Sequence, residues 1–558
     1  MPAGETETVT VADPPLTPHQ QETLEAVRDE LNAGRGRYLL YGVTGSGKTE
    51  VFIRMVRRTL ALGRSAIILV PEIALTPQMV SWFRGRFGDV AAVLHSRLSA
   101  GERFDEWRRI RRGDAKVIIG ARSAVFAPCE HLGLIVVDEE HETTYLSDRH
   151  PRYDAREVAE WRCDREGAAL VLASATPSIL SFARARRGDL TLLEMPCRVN
   201  GRPMPVVELA DMREELNAGN RSIFSALLQR RLRECVQAGE QAILLMNRRG
   251  YNSFVSCRSC GKVIKCPNCD VAMTYHLASN DGRLHCHYCG HTMPVPEKCP
   301  ECGGPHIRYF GAGTQKVEEE LKKLLPGVTT VRMDVDTTSG KDGHRKLLET
   351  FRSRRAQVLV GTQMIAKGLD FPHVTLVGVV AADQTLNLPD YRSRERTFQL
   401  LTQVAGRAGR GALPGQVIIQ TYKPEDETIL AASRQDYRAF FEQEFARRRR
   451  GLYPPFTVMA RLLVEAGTPD RANTVCVALH DRCRALLEEH PDWKRRVLLM
   501  TMDIPSVSML RGKYRCHIVM KLLVHETSEA LMAACEEMAR EEHPGAEVYF
   551  EVNPINMM

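Results

Sequence analysis

The chain is 558 residues long, 44% hydrophobic and 26% charged, so one core cannot hold it and three or four domains are expected. No apolar run reaches the length that crosses a bilayer, and the opening MPAGETETVTVADPP lacks the charged-then-apolar order of a signal peptide. A membrane is therefore excluded as a partner, residues 1–15 are read as a mobile tail, and a cytoplasmic location is expected. The net charge of +7 permits nucleic acid as a partner without requiring it.

The first element is announced by LTPHQ, Leu16 to Gln20. Thr17 suits an N-cap and Pro18 the first helical position, while the amide of Gln20 could also read an adenine edge. Next, RYLLYGVTGSGKTEVFIRMV gives an apolar strand (Tyr38 to Tyr41), a glycine loop and then helical spacing at Val51, Phe52, Met55 and Val56. That order is what a phosphate-binding loop needs. The backbone N–H groups of Gly42, Val43, Thr44, Gly45, Ser46 and Gly47 would wrap the phosphates of ATP, Lys48 would reach the β/γ-phosphates, and the Thr49 hydroxyl would hold Mg²⁺.

LVPEIALTPQ (Leu69 to Gln78) and IIGARSAVFAP (Ile118 to Pro128) each follow an apolar strand. In LGLIVVDEEHE a strand from Leu134 to Val137 ends in carboxylates. Ligands of open α/β sheets bind beyond the carboxyl ends of the strands, which places Asp138 to hold Mg²⁺ and Glu139 to orient and deprotonate the attacking water. LVLASATPS (Leu170 to Ser178) again sets small hydroxyl residues after a strand. A second strand-and-helix region starts near Gln241 with AILLMNRRGY. It resumes with VLVGTQMIAKGLDF (Val358 to Phe371) and FQLLTQVAGRAGR (Phe398 to Arg410).

Within this second region, after Tyr251 and before Phe310, lies a cysteine block. Of sixteen cysteines, eight form four Cys-x-x-Cys pairs: Cys257/Cys260, Cys266/Cys269, Cys286/Cys289 and Cys299/Cys302. Eight thiolates make two closed Cys₄ zinc sites, which are structural because no position is open for water. Spacing alone allows adjacent or nested pairing. Iron–sulfur is the rival, but knuckles such as CRSCGK, CHYCGH and CPECGG look like zinc ribbons. His285, His287 and His291 are bystanders on this count. The remaining chain alternates strands (Val458 to Val464, His517 to Leu523) with helices (Ala472 to Glu488, Ser528 to Glu541), a small α+β domain. The run Arg447 to Arg450 is read as a solvated face that could meet phosphate, and Arg511, Lys513 and Arg515 as candidate phosphate contacts.

The ordered set of GVTGSGKTEV, LVPEIALTPQ, GARSAVFAP, DEEHETTY, NRRGY, GTQMIAKGLDFPHVTLVGV, RERTFQLLTQVAGRAGRG and the eight-cysteine insert resembles the PriA family of replication-restart helicases in superfamily 2. The resemblance runs from about Leu16 to the C-terminus. It implies an α/β fold: a RecA-like lobe over 16–200, a second RecA-like lobe over 201–253 and 309–425, a two-zinc module over 254–308 and an α+β domain over 426–558. It implies that Gln20 contacts adenine, that Lys48, Thr49, Asp138 and Glu139 bind and hydrolyse ATP, and that Arg407 and Arg410 sense the γ-phosphate. Ser174 and Thr176 match the coupling motif, and Thr362, Lys367 and Asp370 the motif linking single-stranded DNA to the nucleotide. TTYLSDRHPRYDAREVAEW resembles the family's aromatic-rich loop, with Tyr145 and Tyr153 as base-stacking candidates. Zinc pairing in the family is nested: Cys257, Cys260, Cys299 and Cys302 on one ion, Cys266, Cys269, Cys286 and Cys289 on the other.

The implied activity is 3′-to-5′ unwinding at stalled or collapsed forks and primosome assembly. The implied partners are forked and single-stranded DNA, single-strand binding protein and the replicative-helicase loader. A monomer in the bacterial nucleoid is expected. Three departures stand out. Asp154 and Glu157 replace the family's usual His and Asp, Val335 replaces an expected Arg, and the chain starts almost at the helicase core. The family's 3′-end-binding domain and winged helix usually come first.

Overall fold

The computed structural model describes residues 14–72, 77–96, 98–147, 152–199, 201, 203–246, 253–257, 259–267, 272–275, 283–286, 290–305, 307–309, 314–334, 337, 343–366, 371–388, 390–409, 411, 413–505 and 508–555. The chain divides into two compact units, the first ending at Met204 and the second beginning at Pro205.

The first unit is a seven-stranded sheet: β1 (Arg37–Gly42), β2 (Ser65–Leu69), β3 (Ala91–Leu94), β4 (Val117–Gly120), β5 (Leu132–Asp138), β6 (Ala169–Ser174) and β7 (Thr191–Met195), in the order β3-β4-β2-β5-β6-β1-β7. Every pairing is parallel. Runs such as AIIL and LIVV read as continuous apolar stretches because helices cover both faces of a parallel sheet, and Leu39, Ile67, Ile118 and Val136 are fully buried. Register brings the functional termini together: Tyr41 lies opposite Ser174, and Asp138 opposite Ala173.

The second unit opens with β8 (Val206–Asp211) and β9 (Gln241–Leu245). The cysteine-rich insertion follows as β10 (Ser253–Cys257), β11 (Thr274–Tyr275), β12 (Arg283–His285), β13 (Thr292–Pro294) and β14 (Ile307–Tyr309), an antiparallel sheet in the order β13-β12-β11-β10-β14. The lobe then resumes with β15 (Thr330–Met333), β16 (Val358–Gly361), β17 (Val374–Val379) and β18 (Gln416–Thr421), forming a parallel sheet ordered β15-β16-β9-β17-β18-β8. The insertion thus leaves the lobe after β9, and β10 pairs with β14 (Val255 opposite Tyr309) at its neck.

The last sheet is antiparallel: β19 (Thr457–Ala466), β20 (Val497–Asp503), β21 (Met509–Leu510), β22 (Lys513–Leu523) and β23 (Ala546–Val552). Helices Pro469–Glu489 and Glu526–Arg540 supply Leu479, Cys483, Leu531 and Cys535 to its core. The helices Glu427–Ser433 and Tyr437–Arg450 precede this sheet. The second packs on the lobe helix Ser393–Ala405, with Phe398 stacked on Phe440 at 4.3 Å.

The arginine run is not a solvated face throughout. Arg448 is 4% exposed, 2.9 Å from Glu444 and 2.6 Å from Glu395, and its guanidinium lies over Tyr391. The position sits on the inward face of its helix, where a cation is held only by pairing. Replacing Arg448 with Ala removes the buried cation that the carboxylates of Glu395 and Glu444 share. A loss of about 3–5 kcal/mol is expected in chemical denaturation, against a negligible change for the neighbouring exposed Arg449→Ala.

Candidate nucleotide site and zinc centre

The glycine loop follows β1, and the helix Lys48–Ala61 starts immediately after it. Gly45 and Gly47 have φ of +83° and +79°, a left-handed backbone that other residues adopt only at a cost. A Cβ at Gly47 would lie 2.3 Å from Gln20 Nε2, and one at Gly42 would lie 2.6 Å from Ser46 Oγ, so glycine is required for space as well. Lys48 Nζ donates to Gly42 O at 2.7 Å. Ser46 Oγ is buried with no hydrogen-bond partner among the described residues. An orphaned hydroxyl in a left-handed loop at a helix N-terminus suits a bound phosphate.

Gln20 is 2% exposed. Its Oε1 accepts from Thr17 N at 2.8 Å, closing a capping box, and its Nε2 donates to Gly47 O at 3.3 Å. The helix cap is made, and the same amide touches the loop that follows β1.

Asp138 ends β5 with Oδ1 accepting from Glu139 N at 3.0 Å. Burial first, and then the charge of Glu139, push its pKa up to about 7, against the pull of Lys48. Glu139 has φ +47°, a strained setting for a non-glycine residue of the kind that functional sites retain. The next two residues of the motif have separate tasks that spacing did not reveal. Glu140 is fully buried and accepts from Ser178 N (2.6 Å), Ser178 Oγ (3.2 Å) and Ser181 Oγ (2.9 Å). His141 Nδ1 is 2.7 Å from Ser174 Oγ, which in turn accepts from Thr176 N at 3.0 Å. The carboxylate motif and the expected coupling motif are therefore in direct contact, and Thr176 Oγ1 is buried without a partner among the described residues.

The two tyrosine candidates separate. Tyr145 is 1% exposed and donates to Asp138 O at 2.6 Å and Leu69 O at 3.0 Å. Its ring is core and its hydroxyl braces the β5 terminus, so the base-stacking expectation for Tyr145 is corrected. Tyr153 is half-buried, edge-on to Phe126 at 4.9 Å with Arg122 over its face at 5.7 Å. Phe126 is 46% exposed and was missed, although it lies within GARSAVFAP. Asp154 caps the helix Ala155–Glu166 and pairs with Arg156 at 2.7 Å, while burial pushes the Glu157 carboxyl up.

In the second lobe Thr362 is buried, with its N–H donating to Met333 O at 3.3 Å. Arg407 is half-buried, just beyond the helix Ser393–Ala405. Asn247 to Tyr251, Val335, Lys367, Asp370 and Arg410 lie outside the described residues. The Arg392 and Arg396 side chains before QVAGRAGR hold the chain's end: Arg392 donates to Ile555 O at 2.9 Å and Pro554 O at 2.7 Å, and Arg396 also reaches Ile555 O.

The sulfur atoms of Cys257, Cys260, Cys299 and Cys302 all lie within 4.8 Å of one another. Cys257 is 3.7 Å from Cys302, and Cys260 is 3.5 Å from Cys299. A zinc tetrahedron with Zn–S of about 2.3 Å has an S···S edge of about 3.8 Å, so this quartet fits zinc and joins the first knuckle to the fourth. Its turns are built alike: Gly261 N donates to Cys257 O and Gly303 N to Cys299 O, both at 2.9 Å, with both glycines left-handed. Gly290 N to Cys286 O, also 2.9 Å, repeats the pattern in the third knuckle. Cys266 and Cys286 are buried in the module's core. Cys269 and Cys289 are outside the described residues.

Because Asp138 keeps its proton in the folded protein at a pH where the unfolded chain has lost it, ionising it opposes folding. The contribution of Asp138 to the stability of the nucleotide-free protein should therefore fall as pH rises from about 4 through 7. Asp138→Asn is expected to raise the thermal midpoint at pH 8 and to change it little at pH 4. An equal effect at both pH values would refute this account.

Three family profiles match the chain: DEAD/DEAH box helicase over residues 17–183, the PriA DNA helicase Cys-rich region over 266–294, and the helicase conserved C-terminal domain over 303–412. The replication restart protein PriA of Bacillus subtilis is 49% identical over 98% of this chain and 67% of its own length. That of Synechocystis is 46% identical over 91% of this chain and 61% of its own, and that of Treponema pallidum 39% over 97% and 80%. The chain thus spans about two thirds of its first two relatives. On the strength of these matches and of the site just described, the chain belongs to the PriA family of replication-restart DNA helicases.

Proposed function

We propose that this chain is an ATP-dependent DNA helicase that moves 3′ to 5′ along one strand, remodels stalled or collapsed forks and starts primosome assembly and replicative-helicase reloading. The carrying observation is the alignment of Lys48, Asp138, Glu139 and the His141–Ser174 contact along one carboxyl edge of the first sheet. Polarity and fork specificity rest on family membership.

At this edge the chain's own groups divide the work. The loop amides and Lys48, exchanging Gly42 O for phosphate oxygens, neutralise the β/γ-phosphates of ATP. Thr49 and Asp138 would hold Mg²⁺, which supplies charge neutralisation on the transferring group. Glu139 orients the attacking water and takes its proton, and Arg407 and Arg410 stabilise charge on the γ-phosphate. His141 links the carboxylate edge to Ser174 and Thr176, which communicate with DNA. Thr362, Lys367 and Asp370 couple to the strand, whose bases stack on Tyr153 and Phe126. Two zinc ions, the second on Cys266, Cys269, Cys286 and Cys289, maintain the module that would dock single-strand binding protein and the loader.

Lys48→Ala is expected to lower DNA-stimulated ATP hydrolysis by at least about a hundredfold, with an unchanged melting temperature. Normal turnover would sink the site assignment, and helicase reloading retained without ATPase would turn the protein into a scaffold. Metal analysis should return two zinc equivalents per chain, falling to one in Cys299→Ser. A single equivalent in the unmodified protein would overturn the two-site reading.

A further inference from the structure

A phosphate loop binds anions only while its peptide planes are turned so that N–H groups point inward and carbonyls point away. Each carbonyl must then find a donor elsewhere. In this loop Gly42 O accepts from Lys48 (2.7 Å), Val43 O from Ser46 N (3.0 Å) and Gly47 O from Glu50 N (3.0 Å) and Gln20 (3.3 Å). Of the three carbonyls between Val43 and Gly47, those of Thr44 and Gly45 are served from a segment with no motif of its own. Arg198 Nε donates to Thr44 O at 3.2 Å, and Val199 N donates to Gly45 O at 3.1 Å. The same segment accepts through Met195 O from Val43 N at 3.1 Å. It also packs closely, since a Cβ at Gly45 would lie 3.7 Å from Arg198 Cγ and one at Gly47 2.7 Å from Val199 Cγ2.

The far side of the guanidinium faces Pro203 O at 3.5 Å from Nη1, and the second compact unit begins at Pro205. One side chain therefore touches both the phosphate loop and the last residues of the first unit.

We propose that Arg198 is a positioning residue for the nucleotide. It holds the Thr44 peptide with its carbonyl outward and its neighbouring amides inward, and it ties that orientation to the connector through Pro203. The inference rests on the nucleotide-site reading above and adds to it a residue outside every motif. Because Arg198 acts through the loop backbone, which meets the inner phosphates, its loss should weaken di- and triphosphates alike.

The test uses the full chain with Mg²⁺, measuring binding of ADP and of a non-hydrolysable ATP analogue by titration calorimetry, alongside steady-state ATPase. Arg198→Ala is expected to weaken both ligands about tenfold, the effect of one lost hydrogen bond to a charged group. The KM for ATP should rise in step while kcat stays within about twofold. Arg198→Lys should recover part of the affinity. The unliganded variant should remain folded at the assay temperature. Unchanged ADP affinity in Arg198→Ala would overturn the inference, as would a loss confined to the triphosphate, which would make Arg198 a γ-phosphate ligand. A fall in unliganded stability that accounts for the binding loss would overturn it as well. Lys48→Ala separates the two levels: if it leaves ADP binding intact, the nucleotide-site reading fails, whereas its loss together with an inert Arg198→Ala defeats only the present inference.

Discussion

The parallel register of the first sheet is the constraint on which the nucleotide site depends. Parallel strands send every carboxyl end to the same edge, and each connection must run back across a face before the next strand starts. With β1, β6 and β5 as successive neighbours, Tyr41 sits opposite Ser174 and Asp138 opposite Ala173. The glycine loop, the carboxylates and the SAT segment then share one rim, although each belongs to a different crossover. A single-residue slip of β6 would turn Ser174 to the opposite face and break its contact with His141. The fully apolar strands that bury both faces of the sheet hold that register.

Charge at this rim is sorted by environment. Three consecutive carboxylates, Asp138, Glu139 and Glu140, have unlike fates. Glu140 is fully buried and its hydrogen bonds to Ser178 and Ser181 tie β5 to the helix Ile179–Arg187. Glu139 is held in left-handed backbone. Asp138 is raised by burial and by its neighbour, beside Lys48. Tyr145, which donates to the carbonyls of Asp138 and Leu69, fixes the strand end on which all three depend.

In the second unit the cysteine-rich insertion is not a bead on a stalk. Its core residues Val255, Met273, Tyr275 and Leu284 form one cluster with Tyr391 and Tyr453 and with Met459 and Val519 of the antiparallel sheet. A Cβ at Gly261, in the first knuckle, would come within 2.3 Å of Tyr422 O, just after β18. The closed thiolate quartet thus stiffens a piece that is packed against the second lobe and the last domain together. The arginines of RERTF contribute to the same assembly: Arg392 and Arg396 clasp the chain's last described carbonyls, and Glu395 takes the buried Arg448.

Local sequence was sufficient wherever the chemistry is carried by contiguous residues. The glycine loop with Lys48 and Thr49, the carboxylates after a strand, and four Cys-x-x-Cys knuckles, three of them with glycine four residues after the first cysteine, are all short-range demands of backbone geometry and ligand spacing. Two strands, β19 and β22, and both long helices of the last domain were legible through their periodicity, whereas β20, β21 and β23 were not. Tertiary structure alone decided which distant groups meet. It buried Tyr145 while leaving Tyr153 beside Phe126, joined the Cys257/Cys260 knuckle to Cys299/Cys302 rather than to the next knuckle in sequence, and turned Arg448 inward. It also set His141 on Ser174 and laid Arg198 across the phosphate loop. These outcomes follow from sheet order and side-chain burial, which sum contacts over many elements, and no single stretch of sequence carries that sum.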